Sequence, residues 1–80
     1  MTALNQVLVV EDEAVIRTSL KRLLERHEYK VSEAGSVKES LENYDMDDFD
    51  VIISDLRLPG APGTDLIKAT STPVLIMTSY

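Results

Sequence analysis

The sequence contains no cysteine, no tryptophan, a single phenylalanine, and only three prolines and three glycines in 80 residues. Without cysteine, neither a disulfide nor a thiolate metal site can staple the fold, which fits a reducing compartment. No stretch approaches the ~18 apolar residues of a membrane-spanning helix. The start, MTALNQ, lacks the basic flank and apolar run of a secretory signal, so the expected location is the cytoplasm. Basic residues are also scarce, eight against fourteen acids, for a formal net charge of −6. A surface of that sign repels nucleic acid and anionic membrane, so this segment is expected to bind neither directly.

What is present suffices for a folded core. Hydrophobic residues make up 44% and charged residues 28% of the chain, a balance typical of globular domains and too apolar for disorder. At this length the chain is one domain at most, with little spare stability.

Gln6–Val10 (QVLVV) reads as a short buried strand, followed at once by Glu11, Asp12 and Glu13. From Glu13 to His27 the period changes. Ile16, Leu20, Leu23 and Leu24 form the stripe of an amphipathic helix, with Asp12 as its expected N-cap. Tyr29–Glu33 reads as a second strand, half polar and suited to a sheet edge. Ser36 and Glu39 have the spacing of a capping box, and Val37, Leu41 and Tyr44 make a second helical stripe. Asp45–Asp48 is a polar break without the spacing of a calcium loop. Asp50–Ser54 is a third strand. Leu56–Gly63 is a loop rich in proline and glycine, Thr64–Ala69 a short helix, and Val74–Met77 a fourth strand. His27 reads as a solvated helix terminus.

The predicted order βαβαβαβ implies an α/β fold, a doubly wound parallel sheet with helices on both faces. Right-handed crossovers favour the strand order 2-1-3-4. In such sheets ligands bind beyond the carboxyl ends of the strands, where the strand order reverses. Glu11 and Asp12 follow the first strand, Asp55 the third and Thr78 the fourth, so three carboxylates and a hydroxyl are expected to converge. Like charges brought together call for a positive partner. Oxygen donors without His or Cys select Mg²⁺, Mn²⁺ or Ca²⁺ over zinc, and an aspartate beside such an ion can accept a phosphoryl group.

Three stretches, VLVVEDE (7–13), DVIISDLRLPG (50–60) with Gly63, and PVLIMTS (73–79), resemble the response-regulator receiver domain of two-component signalling. They do so in the family's order and spacing over nearly the whole chain. The resemblance implies the flavodoxin-like receiver fold, with Mg²⁺ (or Mn²⁺) bound by Glu11, Asp12, Asp55 and the backbone carbonyl of Arg57. It further implies Asp55 as phospho-acceptor, Thr78 as the switch hydroxyl, and Pro59, Gly60 and Gly63 as the loop shaping the site. The implied partner is a sensor histidine kinase or phosphotransfer protein, with a DNA-binding output domain in the full-length protein; SDLRLPGAPGTDLI is most similar to receivers of the NtrC-like activators. Receivers have five strands and five helices, so residues 1–80 would be an incomplete receiver from first to fourth strand. The lysine and the aromatic switch residue of the fifth strand would be lacking, and Lys38 and Lys68, on helices, would not replace the lysine. The open edge of the fourth strand suggests a homodimer or strand-swapped oligomer.

On this reading the chain is no free-standing enzyme. Two alternatives stay open. One is a receiver-like module that only binds partners. The other is a Mg²⁺-dependent phosphohydrolase, which would want a second acid where Arg57 stands.

Overall fold

The computed structural model describes residues 5–58, 60 and 62–77. Four parallel strands, β1 (Gln6–Val10), β2 (Lys30–Ala34), β3 (Val51–Asp55) and β4 (Val74–Met77), form one sheet in the order β2-β1-β3-β4. The connections are α1 (Ala14–Arg26), α2 (Val37–Asn43) with a 3-10 turn at Met46–Asp48, and α3 (Asp65–Ala69). Element order and sheet order are those predicted.

The differences lie at the boundaries and in two helix faces, since Leu23 of the expected α1 stripe and Leu41 of the expected α2 stripe are both exposed. β2 starts one residue later than its composition suggests, and β3 runs one residue further, so Asp55 is the last residue of the strand. The N-cap of α1 is Glu13, not Asp12, and it makes no side-chain capping bond. Instead the Glu13 N–H donates to Glu11 Oε2 at 3.1 Å. Ser36 caps α2 as expected, accepting from the Glu39 N–H at 3.0 Å, while Glu39 reaches back to the N–H of Gly35 rather than of Ser36. In α2 the buried residues are Val37 and Ser40, with Tyr44 beside them, and Leu41 is exposed. The small side chain of Ser40 lets the helix approach the sheet, and its hydroxyl is satisfied by the Val37 carbonyl at 2.7 Å. The polar break at 45–48 is an ordered turn capped by Asp45, with Met46 buried beneath it.

The two faces of the sheet are covered unequally. Leu8, Val10, Ala34 and Ile52 face Val37, Met46, Phe49, Leu58 and Leu66 in a continuous core. Truncating a fully buried residue such as Leu8, Ile52 or Leu66 to Ala costs about 2–5 kcal/mol. Tyr44 packs edge-on against Phe49 at 5.6 Å and donates its hydroxyl to the Glu33 carbonyl. On the opposite face α1 packs on β1 and β2, and none of its residues is fully buried. Across that face the aligned row Val9, Ile53, Leu75 passes from buried through half-buried to exposed. β1 is therefore covered on both faces, as its unbroken apolar run implies. β3 and β4 are less covered than their equally apolar sequences suggest.

Candidate functional site

The parallel register decides what meets at the carboxyl end of the sheet. Val10 pairs with Ser54 and Asp55 with Met77. The next residue after Val10, Glu11, therefore leaves β1 beside Asp55. Leu56 N–H still bonds to the Met77 carbonyl at 2.8 Å, so β3 is held against β4 up to the point where the chain turns away. Carboxylate oxygens of Glu11, Asp12 and Asp55 lie within 4.8 Å of one another. Glu11 is buried, Asp55 half-buried and Asp12 exposed.

The three acids are held differently. Glu11 is fixed on both sides: its N–H donates to the Ala34 carbonyl at 3.0 Å, and its side chain accepts from the Glu13 N–H. Burial pushes its carboxyl above the usual carboxylate range. The Glu13 N–H opposes that shift, and contact with Asp12 and the nearby charge of Asp55 add to it. Asp55 Oδ1 accepts from the Arg57 N–H at 3.2 Å, a turn that ties the carboxylate to the start of the following loop. Arg57 thus meets the site through its backbone N–H. Its side chain is exposed.

The loop after β3 is built to pass close. Gly60 has φ +85°, a conformation that favours glycine. A Cβ on Gly63 would collide with the Asp55 carbonyl and the Ser54 hydroxyl. Ser54 is fully buried and its hydroxyl donates to the Asp55 carbonyl at 3.1 Å. Pro59 and Thr78, both expected at the site, lie outside the described residues.

Among the described residues the ion pairs are Arg17–Glu33 and Lys21–Glu33, and neither involves Glu11, Asp12 or Asp55. Three carboxylates at this separation, with one buried, repel one another unless a cation or protons intervene. An all-oxygen, anionic donor set at a rim open to water fits a hard divalent cation such as Mg²⁺ or Mn²⁺, which keeps part of its water shell.

Two contributors went unremarked in the sequence. Ser54 gave no signal beyond being a polar residue in an apolar strand. Arg17 gave a faint one, being a cation close to the start of α1, where the helix dipole disfavours positive charge. The structure shows where it goes: its Nη1 donates to the Glu11 carbonyl at 2.7 Å and its Nε approaches Glu33 Oε1 at 3.4 Å.

Comparison with known proteins agrees with this architecture. The response regulator receiver domain family matches residues 7–80. The transcriptional regulatory protein ResD of Bacillus subtilis is 33% identical over 78 residues, covering 92% of this chain and 32% of ResD. The chemotaxis protein CheY4 of Vibrio cholerae superposes with a TM-score of 0.86 at 33% identity, covering 98% of this chain and 71% of that one. A response regulator from Burkholderia pseudomallei, solved with a phosphorylated aspartic acid, calcium ion and citrate, superposes with a TM-score of 0.78 at 30% identity, over 95% of this chain and 48% of that one. The chain thus spans about a third of ResD and about half of the Burkholderia protein. A match over nearly the whole sequence, on a sheet of the same order, places this chain in the response regulator receiver domain family.

Proposed function

We propose that the chain is a phospho-accepting module of a two-component pathway, with Asp55 as the acceptor. The observation that carries this reading is the meeting of Glu11, Asp12 and Asp55 at the carboxyl end of adjacent strands. A carboxylate oxygen of Asp55 attacks the phosphorus of a phosphohistidine on a sensor kinase or phosphotransfer protein. The P–N bond breaks, the imidazole leaves and takes up a proton, and an acyl phosphate forms on Asp55. Glu11, Asp12, Asp55 and the Arg57 carbonyl would hold Mg²⁺, which supplies positive charge to the phosphoryl oxygens. The Arg57 N–H fixes the Asp55 carboxylate, and the loop passes at Gly63 against the Asp55 backbone carbonyl. The Thr78 hydroxyl would follow the phosphoryl group and shift a two-state equilibrium read by an output domain elsewhere in the protein. The name of ResD, a transcriptional regulatory protein, supports a transcriptional output. The phosphorylated aspartate and calcium ion of the Burkholderia relative support the chemistry. The chain takes part in its own modification and does not turn over a separate substrate.

Incubation with a small phosphodonor and Mg²⁺, followed by intact-mass and peptide analysis, tests this. The expected result is one acid- and base-labile phosphoryl group on Asp55, absent in Asp55→Asn and absent with chelator. Mg²⁺ binding without any phosphoryl transfer would favour a partner-binding module. Steady hydrolysis of a phosphoester would overturn the proposal.

A further inference from the structure

We infer that Arg17 is a positioning residue for the carboxylate site, holding the Glu11–Asp12 peptide from the beginning of α1. This rests on the metal reading given above. Two contacts meet at this side chain, and a third fixes the residue it holds. Its Nη1 donates to the Glu11 carbonyl at 2.7 Å, short for an N–H···O bond. Its Nε pairs with Glu33 Oε1 at 3.4 Å, and Lys21 holds the other oxygen of Glu33 at 3.3 Å, so the guanidinium is anchored from behind. The same Glu11 residue donates its N–H to Ala34 of β2.

The Glu11 carbonyl belongs to the peptide unit that continues into Asp12. Fixing that carbonyl fixes the plane from which the Asp12 side chain projects. Asp12 is exposed and sits outside the ladder of β1, so its direction depends on this peptide more than on packing. A planar guanidinium presents separate N–H groups in fixed directions to the Glu11 carbonyl and the Glu33 carboxylate, a geometry that a point-like ammonium does not reproduce. Side chains that orient metal ligands from outside the ligand set commonly alter metal affinity by roughly 10–100-fold.

The charge of Arg17 gives the test a sign. A cation near the site opposes Mg²⁺ by charge alone, so its removal would tighten binding if charge were its only effect. If Arg17 positions Asp12, its removal weakens binding. Mg²⁺ titrations followed by the amide signals of residues 11–13 and 55 compare wild type with Arg17→Met, Arg17→Lys and Lys21→Met. Lys21→Met removes the other partner of Glu33 without touching Glu11. The expected order of affinity is wild type, near Lys21→Met, then Arg17→Lys, then Arg17→Met, the last weakened on the order of tenfold. In metal-free protein, the Asp12 and Glu13 amides of Arg17→Met should show greater fast mobility, with a thermal midpoint near that of Lys21→Met. Should Arg17→Met fail to fold, Arg17→Lys, which keeps the charge and loses the fork, should still weaken Mg²⁺, an effect that charge alone does not produce. Unchanged or tighter Mg²⁺ binding in Arg17→Met, with wild-type order at Asp12, overturns the inference. Wild-type Mg²⁺ binding in Asp12→Asn and Asp55→Asn would instead overturn the carboxylate site itself, and the role of Arg17 with it.

Discussion

β3 is flanked by two aspartates, Asp50 before its first residue and Asp55 at its last, and they do opposite things. Asp50 Oδ2 accepts from the N–H groups of Asn5 and Gln6, both at 2.9 Å, while its own N–H donates to the Gln6 carbonyl at 2.8 Å. Those two donors hold its carboxyl below the usual carboxylate range. Asp50 is a latch that fixes the entry of β1 against the entry of β3. Asp55 has one backbone donor and two neighbouring carboxylates. One end of the strand has donors enough for its charge and the other has an excess of charge. A carboxylate supplied with donors contributes to the fold. A carboxylate set among carboxylates needs something from outside, and that marks the site.

The largest expected break in this comparison is functional. Asp55→Asn should abolish phosphoryl acceptance entirely, with the metal-free thermal midpoint unchanged or raised because a like charge is gone. Asp50→Asn should do the reverse, lowering the midpoint while phosphoryl acceptance persists. Donor assays and melting curves on the two variants read both halves.

A smaller effect is expected at the loop. Gly63→Ala places a methyl group against the Asp55 carbonyl and Ser54 hydroxyl. Overpacking of this kind costs about 1–3 kcal/mol, visible in denaturant unfolding. Because the collision is with Asp55 itself, phosphoryl acceptance should fall as well, whereas a destabilising change at the Asp50 end should leave it intact.

The smallest effect is in the acid limb of stability, where the two ends have opposite signs. Asp50 titrates lower in the folded chain than unfolded, so its contribution is present above its unfolded pKa and fades as pH falls through the folded value, a window below about pH 4. Glu11 titrates higher in the folded chain, so its ionisation opposes folding, and that penalty lifts as pH falls toward its unfolded pKa, a window above about pH 4. In metal-free protein Asp50→Asn should flatten the loss of stability below pH 4. Glu11→Gln should raise the midpoint at neutral pH and remove the gain seen on mild acidification. Chemical unfolding across pH 3–7 separates the two.

Much of this was legible in the sequence because short apolar runs alternating with helical stripes leave few arrangements. Strand order and the convergence of Glu11, Asp12 and Asp55 follow from the crossover rule and from where each run ends. The details that escaped are set by local hydrogen bonding that periodicity does not encode. Glu13 rather than Asp12 begins α1 because its N–H is taken by the side chain of Glu11. Ser40 displaces Leu41 from the buried face because a satisfied small hydroxyl fits closer to the sheet than a leucine. The equal apolarity of β1 and β4 concealed their unequal cover, since composition reports what a strand can bury, not what lies over it. Arg17 gave only a faint signal because its partners, a backbone carbonyl and a residue of β2, are brought to it only by the fold.

Calorimetric titration with Mg²⁺ tests most directly whether the three carboxylates form a divalent-cation site. Wild type and Asp50→Asn should bind Mg²⁺ with similar affinity, and Asp12→Asn and Asp55→Asn should lose most of it. Equal binding in all four proteins, or none in wild type, would contradict the assignment.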